Sequence, residues 1–199
     1  YYKTLQPVIK KRVPVWIKNT FNPAARGTRI SLRPSSRSNP SGGIKAITSV
    51  ARADLVTLSG GEIFSFAAMA ARAFEALASQ SISTLIVTQS SADNVLCFAI
   101  HHGDLDRVRA VLRKTFELEM LHDYMGPIEV MRQAAIVVAI GENMEGTPGI
   151  AGRAFGALGK RGINVIAIAQ GSSELSISFA VKTADVKGAV GALHREFKL

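Results

Sequence analysis

Gln89 and Gln170 stand 81 residues apart, each closing a β-rich run and each followed by small or hydroxyl residues, Gln89-Ser90-Ser91 and Gln170-Gly171-Ser172. A carboxamide presents donor and acceptor together, which suits a ligand carrying a hydroxyl or both charges of a zwitterion. Upstream of each lies a small or polar segment, 60–68 and 141–149, that leads into a helical pattern. The unsatisfied N–H groups and positive dipole end of a helix start favour a carboxylate. A helix start beside a strand-end glutamine would form a pocket for a small amino acid. The competing reading is a polar sheet-edge residue that duplication has simply repeated.

Other chemistry is poorly provided for. The chain has no Gly-x-x-x-x-Gly-Lys-Ser/Thr loop, no cysteine pair for zinc and no recurring His/carboxylate set. His101-His102 reads as a solvated strand end whose side chains diverge to opposite faces, so no metal is expected there. The single cysteine, Cys97, excludes an internal disulfide, fits a reducing compartment and reads as a small buried residue.

The elements that would position the glutamines form two repeats. Residues 70–100 set against 151–181 give 11 identities in 31 positions, among them Arg72/Arg153, Phe74/Phe155, Ile82/Ile163 and Phe98/Phe179. The register runs on through Asp104/Asp185, Leu112/Leu193 and Phe116/Phe197. In the first repeat 55–58 reads as a short strand, 65–79 as a helix with Phe66, Met69, Ala73 and Leu77 inward, and 82–88 and 95–100 as strands. Asp104 is expected to cap a second helix carrying Leu105, Val108, Leu112 and Phe116 inward. The second repeat uses 135–140, 149–161, 163–169, 175–181 and 185–197, with Pro148 as a helix start.

A closing strand completes each βαββαβ unit of the ferredoxin-like class. Residues 128–132 supply it for the first repeat. The second ends at Leu199 with nothing left, whereas 44–51 reads as a strand with no unit of its own. Nesting the first unit inside the second, with 44–51 completing the second sheet, resolves both. The expected division is 1–33, a linker 34–43 rich in Pro, Ser and Gly, 54–132, and 44–52 together with 133–199.

The formal charge of +9 lies entirely in the leader: residues 1–43 hold nine Lys/Arg and no acid, and the remainder carries 15 of each sign. A basic arm for polyanions and a piece of a domain whose acidic counterpart lies elsewhere both account for this. The apolar run Val13-Pro14-Val15-Trp16-Ile17 favours the second, because a solvated arm has no use for it. No apolar run approaches the roughly 18 residues of a membrane span, and no secretory signal opens the chain. A cytoplasmic setting without membrane partners is expected. RNA binding on the sheet is disfavoured because Thr84-Leu85-Ile86-Val87 and Val165-Ile166-Ala167-Ile168 carry no aromatic for base stacking.

These residues resemble a known family. Lys3-Thr4-Leu5-Gln6-Pro7, Ile17-Lys18-Asn19-Thr20-Phe21-Asn22-Pro23 and Gly27-Thr28 look like the segment that closes the kinase domain of aspartate kinases. Val87-Thr88-Gln89-Ser90-Ser91 and residues 163–178 look like their paired ACT domains, most similar to the threonine-sensitive enzymes, including those fused to homoserine dehydrogenase. The resemblance implies an α+β fold of two nested ACT domains behind a kinase remnant, and an end-product amino acid, L-threonine, bound between paired domains of a homodimer for feedback inhibition. Lysine, or a ligand-free dimerisation scaffold, is the alternative. Residues implied at the effector site are Phe66, Ala68, Met69 and Ala70 with Thr147, Gly149, Ile150 and Ala151 at the helix starts, Ser83 and Thr84 with Asn164 and Val165 at the strand starts, and Gln89 and Gln170. Leu85 stands where lysine-sensitive relatives carry an aspartate, the first repeat lacks the Pro148-Gly149 pair of the second, and Tyr1-Tyr2 replaces the usual His-Pro. With the Lys-Phe-Gly-Gly kinase signature absent, this stretch is not expected to phosphorylate aspartate. ATP and Mg would belong to the kinase domain, and no cofactor is expected here.

Overall fold

The computed structural model describes residues 5–30, 43–90, 92–142 and 144–199. The expected linker 34–43 falls outside the described residues except for Gly43, as do Lys3-Thr4 and Ser91. Two compact units result, one N-terminal to Pro40 and one from Ser41 onward.

In the first unit a short helix α1 (Gln6–Lys10) precedes an antiparallel hairpin of β1 (Val15–Ile17) and β2 (Thr28–Ile30), with Trp16 opposite Arg29. Gly27 explains the reversal: its φ is +71°, and a Cβ there would lie 2.4 Å from the Ile17 carbonyl oxygen. Trp16, Ile17 and Phe21 are exposed, Phe21 almost completely.

The second unit is built on one six-stranded sheet in the order β4-β5-β3-β6-β8-β7. Its strands are β3 (Ile44–Ser59), β4 (Thr84–Ser90), β5 (Val95–His101), β6 (Glu129–Gly141), β7 (Ala167–Gln170) and β8 (Ser176–Lys182). The two central strands are each continuous through both repeats, where the sequence reading broke each into two. The far half of β3 pairs with β5 and with the start of β6, and its near half pairs with the end of β6. Each repeat thereby has the four-strand order of a βαββαβ unit, the first interrupting the second, and the expected breaks near 53 and 132 fall inside continuous strands. Register shifts flank Ala53, and Gln133 has φ +61°, so both central strands bulge at one place. A bulge disturbs the in–out alternation and reads as a break.

Helices α2 (Phe66–Ser79) and α3 (Leu105–Thr115) bury Met69, Leu77, Val108 and Leu112 against Leu58, Phe98 and Ile100. Helices α5 (Ile150–Gly159) and α6 (Val186–Phe197) bury Leu158 and Leu193 against Val137 and Phe179. The opposite face of the sheet holds a third core of Ala53, Leu55, Ile86, Ala99, Ala134, Ile136, Ala167 and Ala180. Its alanines allow close approach, and the two edge strands β4 and β7 touch each other. A short helix α4 (Glu117–Leu121) follows α3 and was not anticipated. Nor does Asp104 cap α3: its Oδ1 accepts from Arg107 Nη1 at 3.0 Å and makes no capping bond, because a 3-10 turn leads into the helix.

Candidate functional site

Gln89 lies opposite Leu96 and Gln170 opposite Ile177, and both partners face the helix-side cores. Directly opposed residues share a face. Both glutamines therefore stand on the helical face of an edge strand, and both are exposed. Val87 and Ile168, two residues earlier in each strand, are exposed on the same face. The segments leading to α2 and α5 begin at the same end of the sheet. Gly60 N–H donates to the Asn94 carbonyl and Gly141 N–H to that of Leu175, each at 2.9 Å.

The two helix starts differ. In the first repeat the Asn94 Nδ2 donates to the carbonyls of Gly61 (3.0 Å) and Phe64 (2.7 Å), and Gly61 N–H donates to the Tyr124 carbonyl at 2.8 Å. Helix α2 then begins at Phe66. The 81-residue register matches Phe66 to Thr147, yet α5 begins only at Ile150. Gly149, at φ +87°, holds residues 147–149 out of the helix. Pro148 thus precedes the left-handed residue and does not open the helix as the sequence reading expected.

Among the residues implied at the helix starts, Ala68, Thr147 and Gly149 are exposed, and Phe66, Ala70 and Ala151 are half-buried. Met69 and Ile150 are buried in the helix-side cores, so only their backbone could face a ligand. Ser83 is exposed just ahead of β4, whose first residue is Thr84. Asn164 and Val165 lie in an extended approach to β7, which is shorter than the expected 163–169. Thr84 and Gln89, five residues apart on β4, are separated by about 17 Å along the strand. Within one repeat the fold gathers the glutamine and the helix-start segment at one end of the sheet and leaves the strand start at the other.

The sequence reading missed a buried acid. Asp54 is fully buried in β3, and its Oδ2 lies 2.8 Å from His102 Nδ1. His101 and His102 are both exposed at the end of β5, as expected of a solvated strand end, and His102 begins the 3-10 turn from which its ring reaches the buried acid. The other oxygen, Oδ1, is buried without a hydrogen bond. The signal was one acid within the apolar run Ala53-Asp54-Leu55-Val56, whose counterpart in the second repeat is the buried Ala135. Cys97 is half-buried in the third core; burial pushes its thiol up, partly offset by a hydrogen bond with Thr57, which suppresses thiolate chemistry. Among the described residues no group of three or more His, Cys, Asp or Glu is arranged to hold a metal ion.

One cationic feature recurs in both repeats. The Arg72 guanidinium lies over Phe116 at 5.0 Å and donates to the Thr115 carbonyl; Arg153 lies over Phe197 at 4.7 Å and donates to the Glu196 carbonyl at 3.0 Å. Each ties a repeat's first helix to the last turn of its second. In the first repeat Arg72 also grips Glu119 of α4, and that hydrogen bond holds the Glu119 carboxyl below its ordinary range.

Residues 56–116 and 137–197 each match the family model of the ACT domain. The chain belongs to the ACT-domain family. Its tandem ACT domains match the regulatory regions of aspartate kinases and of the fused aspartokinase–homoserine dehydrogenases. The bifunctional aspartokinase/homoserine dehydrogenase of Haemophilus influenzae is 34% identical over 193 residues, 97% of this chain and 23% of that protein. The chain thus spans about a quarter of that relative's length. The aspartate kinase of Clostridium acetobutylicum superposes with a TM-score of 0.84 at 24% identity, over 100% of this chain and 44% of that one. The regulatory subunit of aspartate kinase from Thermus thermophilus superposes with a TM-score of 0.66 at 20% identity, over 78% of this chain and 99% of the subunit. No helix among the described residues is long and apolar enough to cross a membrane.

Proposed function

We propose that this chain is the regulatory region of an aspartate kinase and that it binds L-threonine as a feedback effector. The observation that carries the reading is the matched pair Gln89 and Gln170, exposed on the helical face of two edge strands at the end where each helix-start segment begins. A carboxamide there complements the threonine hydroxyl, and backbone N–H groups of the helix start receive the carboxylate. Leu85 supports threonine over lysine: it packs on the third core and offers no carboxylate for a desolvated side-chain ammonium.

The strand starts, about 17 Å from the glutamines, would complete a pocket only from a facing domain, which favours a site formed between two copies of the chain. Effector binding at such an interface has different free energies in two arrangements of the assembly, as any allosteric switch requires. The leader unit, with exposed Trp16, Ile17 and Phe21 beside its cations, would pass that bias to a kinase domain, where ATP and Mg would act.

Calorimetric titration of the chain with L-threonine and separately L-lysine, repeated on Gln89→Ala and Gln170→Ala, tests this. Saturable threonine binding, weakened about tenfold by at least one substitution, is expected from the loss of a hydrogen bond worth about 1–1.5 kcal/mol. Lysine binding alone would transfer the site to lysine, and silence with both would leave a dimerisation scaffold.

A further inference from the structure

We propose that the groove between α5 and α6 is a second binding site, for a small phosphorylated anion. The cavity has a volume of about 510 Å³ and is lined by Ala157, Lys160, Arg161, Ala192, Arg195 and Glu196. That volume lies in the range of small-molecule pockets. The one acid of the lining, Glu196, is already taken: its Oε1 accepts from Arg153 Nε at 2.8 Å. Lys160, Arg161 and Arg195 make no ion pair among the described residues. The C-terminal end of α5 brings about half a negative charge to the groove, which leaves three cations largely uncompensated. Two guanidinium groups and an ammonium line the groove beside Ala157 and Ala192, a donor set of the kind that phosphoryl oxygens accept from.

The duplication supplies a control for whether the fold needs this charge. The 81-residue register places Ala76, Ser79, Gln80, Val111, Lys114 and Thr115 at the same positions between α2 and α3. At those six positions the first repeat carries a single cation, Lys114, and Arg107 of α3 reaches across to donate to the Gln80 carbonyl. Three cations in the second repeat are not a requirement of helix packing. The groove is open to solvent, and its volume accommodates a pyrophosphate or a nucleotide. This site is independent of the effector reading, because it lies on the outer helical layer and uses none of the effector residues.

Binding of inorganic pyrophosphate, ADP and AMP to the chain, measured by calorimetry without divalent metal at low ionic strength, tests the assignment. Pyrophosphate and ADP should bind, and the double variant Arg161→Gln/Arg195→Gln should weaken them at least tenfold. Lys187→Gln, an exposed cation of α6 outside the groove, should leave them unchanged. ADP tighter than pyrophosphate would identify a nucleotide site, and equal affinity a site reading phosphates alone. Absence of binding by both, or binding equal in parent and double variant, overturns the proposal.

Discussion

In the first repeat the segment entering α2 is tied down by Asn94, whose amide holds the carbonyls of Gly61 and Phe64. In the second repeat the matching residue is Leu175, 54% exposed, and the segment entering α5 carries Pro148 and a left-handed Gly149 instead. The frame beneath is shared: the backbone bond from Gly60 to Asn94 recurs from Gly141 to Leu175 at the same 2.9 Å. So does the arginine over the closing phenylalanine, at 5.0 and 4.7 Å. What duplication preserved is what the fold needs. What diverged is the conformation of the helix starts. A clamped start is preorganised, whereas an unwound start can adjust to its ligand at an entropic cost.

The largest test of this comparison asks whether the repeats are energetically one body. Phe98→Ala and Phe179→Ala each empty a fully buried ring and should each cost about 3–5 kcal/mol. Because β3 and β6 run through both repeats, either variant should shift a single urea transition. Two separated transitions would show that the shared strands do not couple the halves.

Next comes the clamp itself. Asn94→Ala leaves part-buried carbonyls without their donor and should destabilise by about 1–3 kcal/mol, with faster amide exchange confined to residues 60–66. Leu175→Ala should stay within about 0.5 kcal/mol; equal effects would erase the asymmetry.

Two glycines of the second repeat should then respond with opposite sign. Gly149→Ala places a Cβ at φ +87° and should cost about 1–2 kcal/mol. Gly156→Ala, inside α5 with open space at its Cβ, should stabilise by about 0.5–1 kcal/mol. Thermal melts decide both, and a neutral Gly149→Ala would mean that the helix start rewinds readily to the form of the first repeat.

The smallest effect is a pH dependence confined to the first repeat. Glu119 has a folded pKa below its unfolded value, which is about 4.3. Its contribution is therefore full above that value and is lost as pH falls through the lower folded one. Glu119→Gln should be less stable than the parent at pH 7 by no more than about 1 kcal/mol, and the gap should close in acid. A gap persisting at pH 3 would assign the effect to packing and not to charge.

Much of this arrangement could be read before any coordinates. The 81-residue register, the helices read over 65–79 and 185–197, the inward Leu77, Val108 and Leu112 and the nesting of one unit in the other all follow from periodicity and strand counting. The continuity of β3 and β6 could not be read, because the bulge at Ala53 and Gln133 breaks the alternation that marks a strand. The approach to β7 read as strand because Ile163, Val165 and Ile166 are apolar, yet most of it lies outside the ladder.

By itself the sequence determined the repeat, its element types, which residues face inward and the two glutamines, since these depend on neighbours within a few positions and on identity between two stretches. Only the tertiary structure decided that Asp54 meets His102, that the glutamines share the helical face of two touching edge strands, and that α5 starts at Ile150, after a left-handed Gly149. Those outcomes depend on sheet register and on one glycine dihedral, which join residues tens of positions apart or turn on a local backbone choice that composition does not encode.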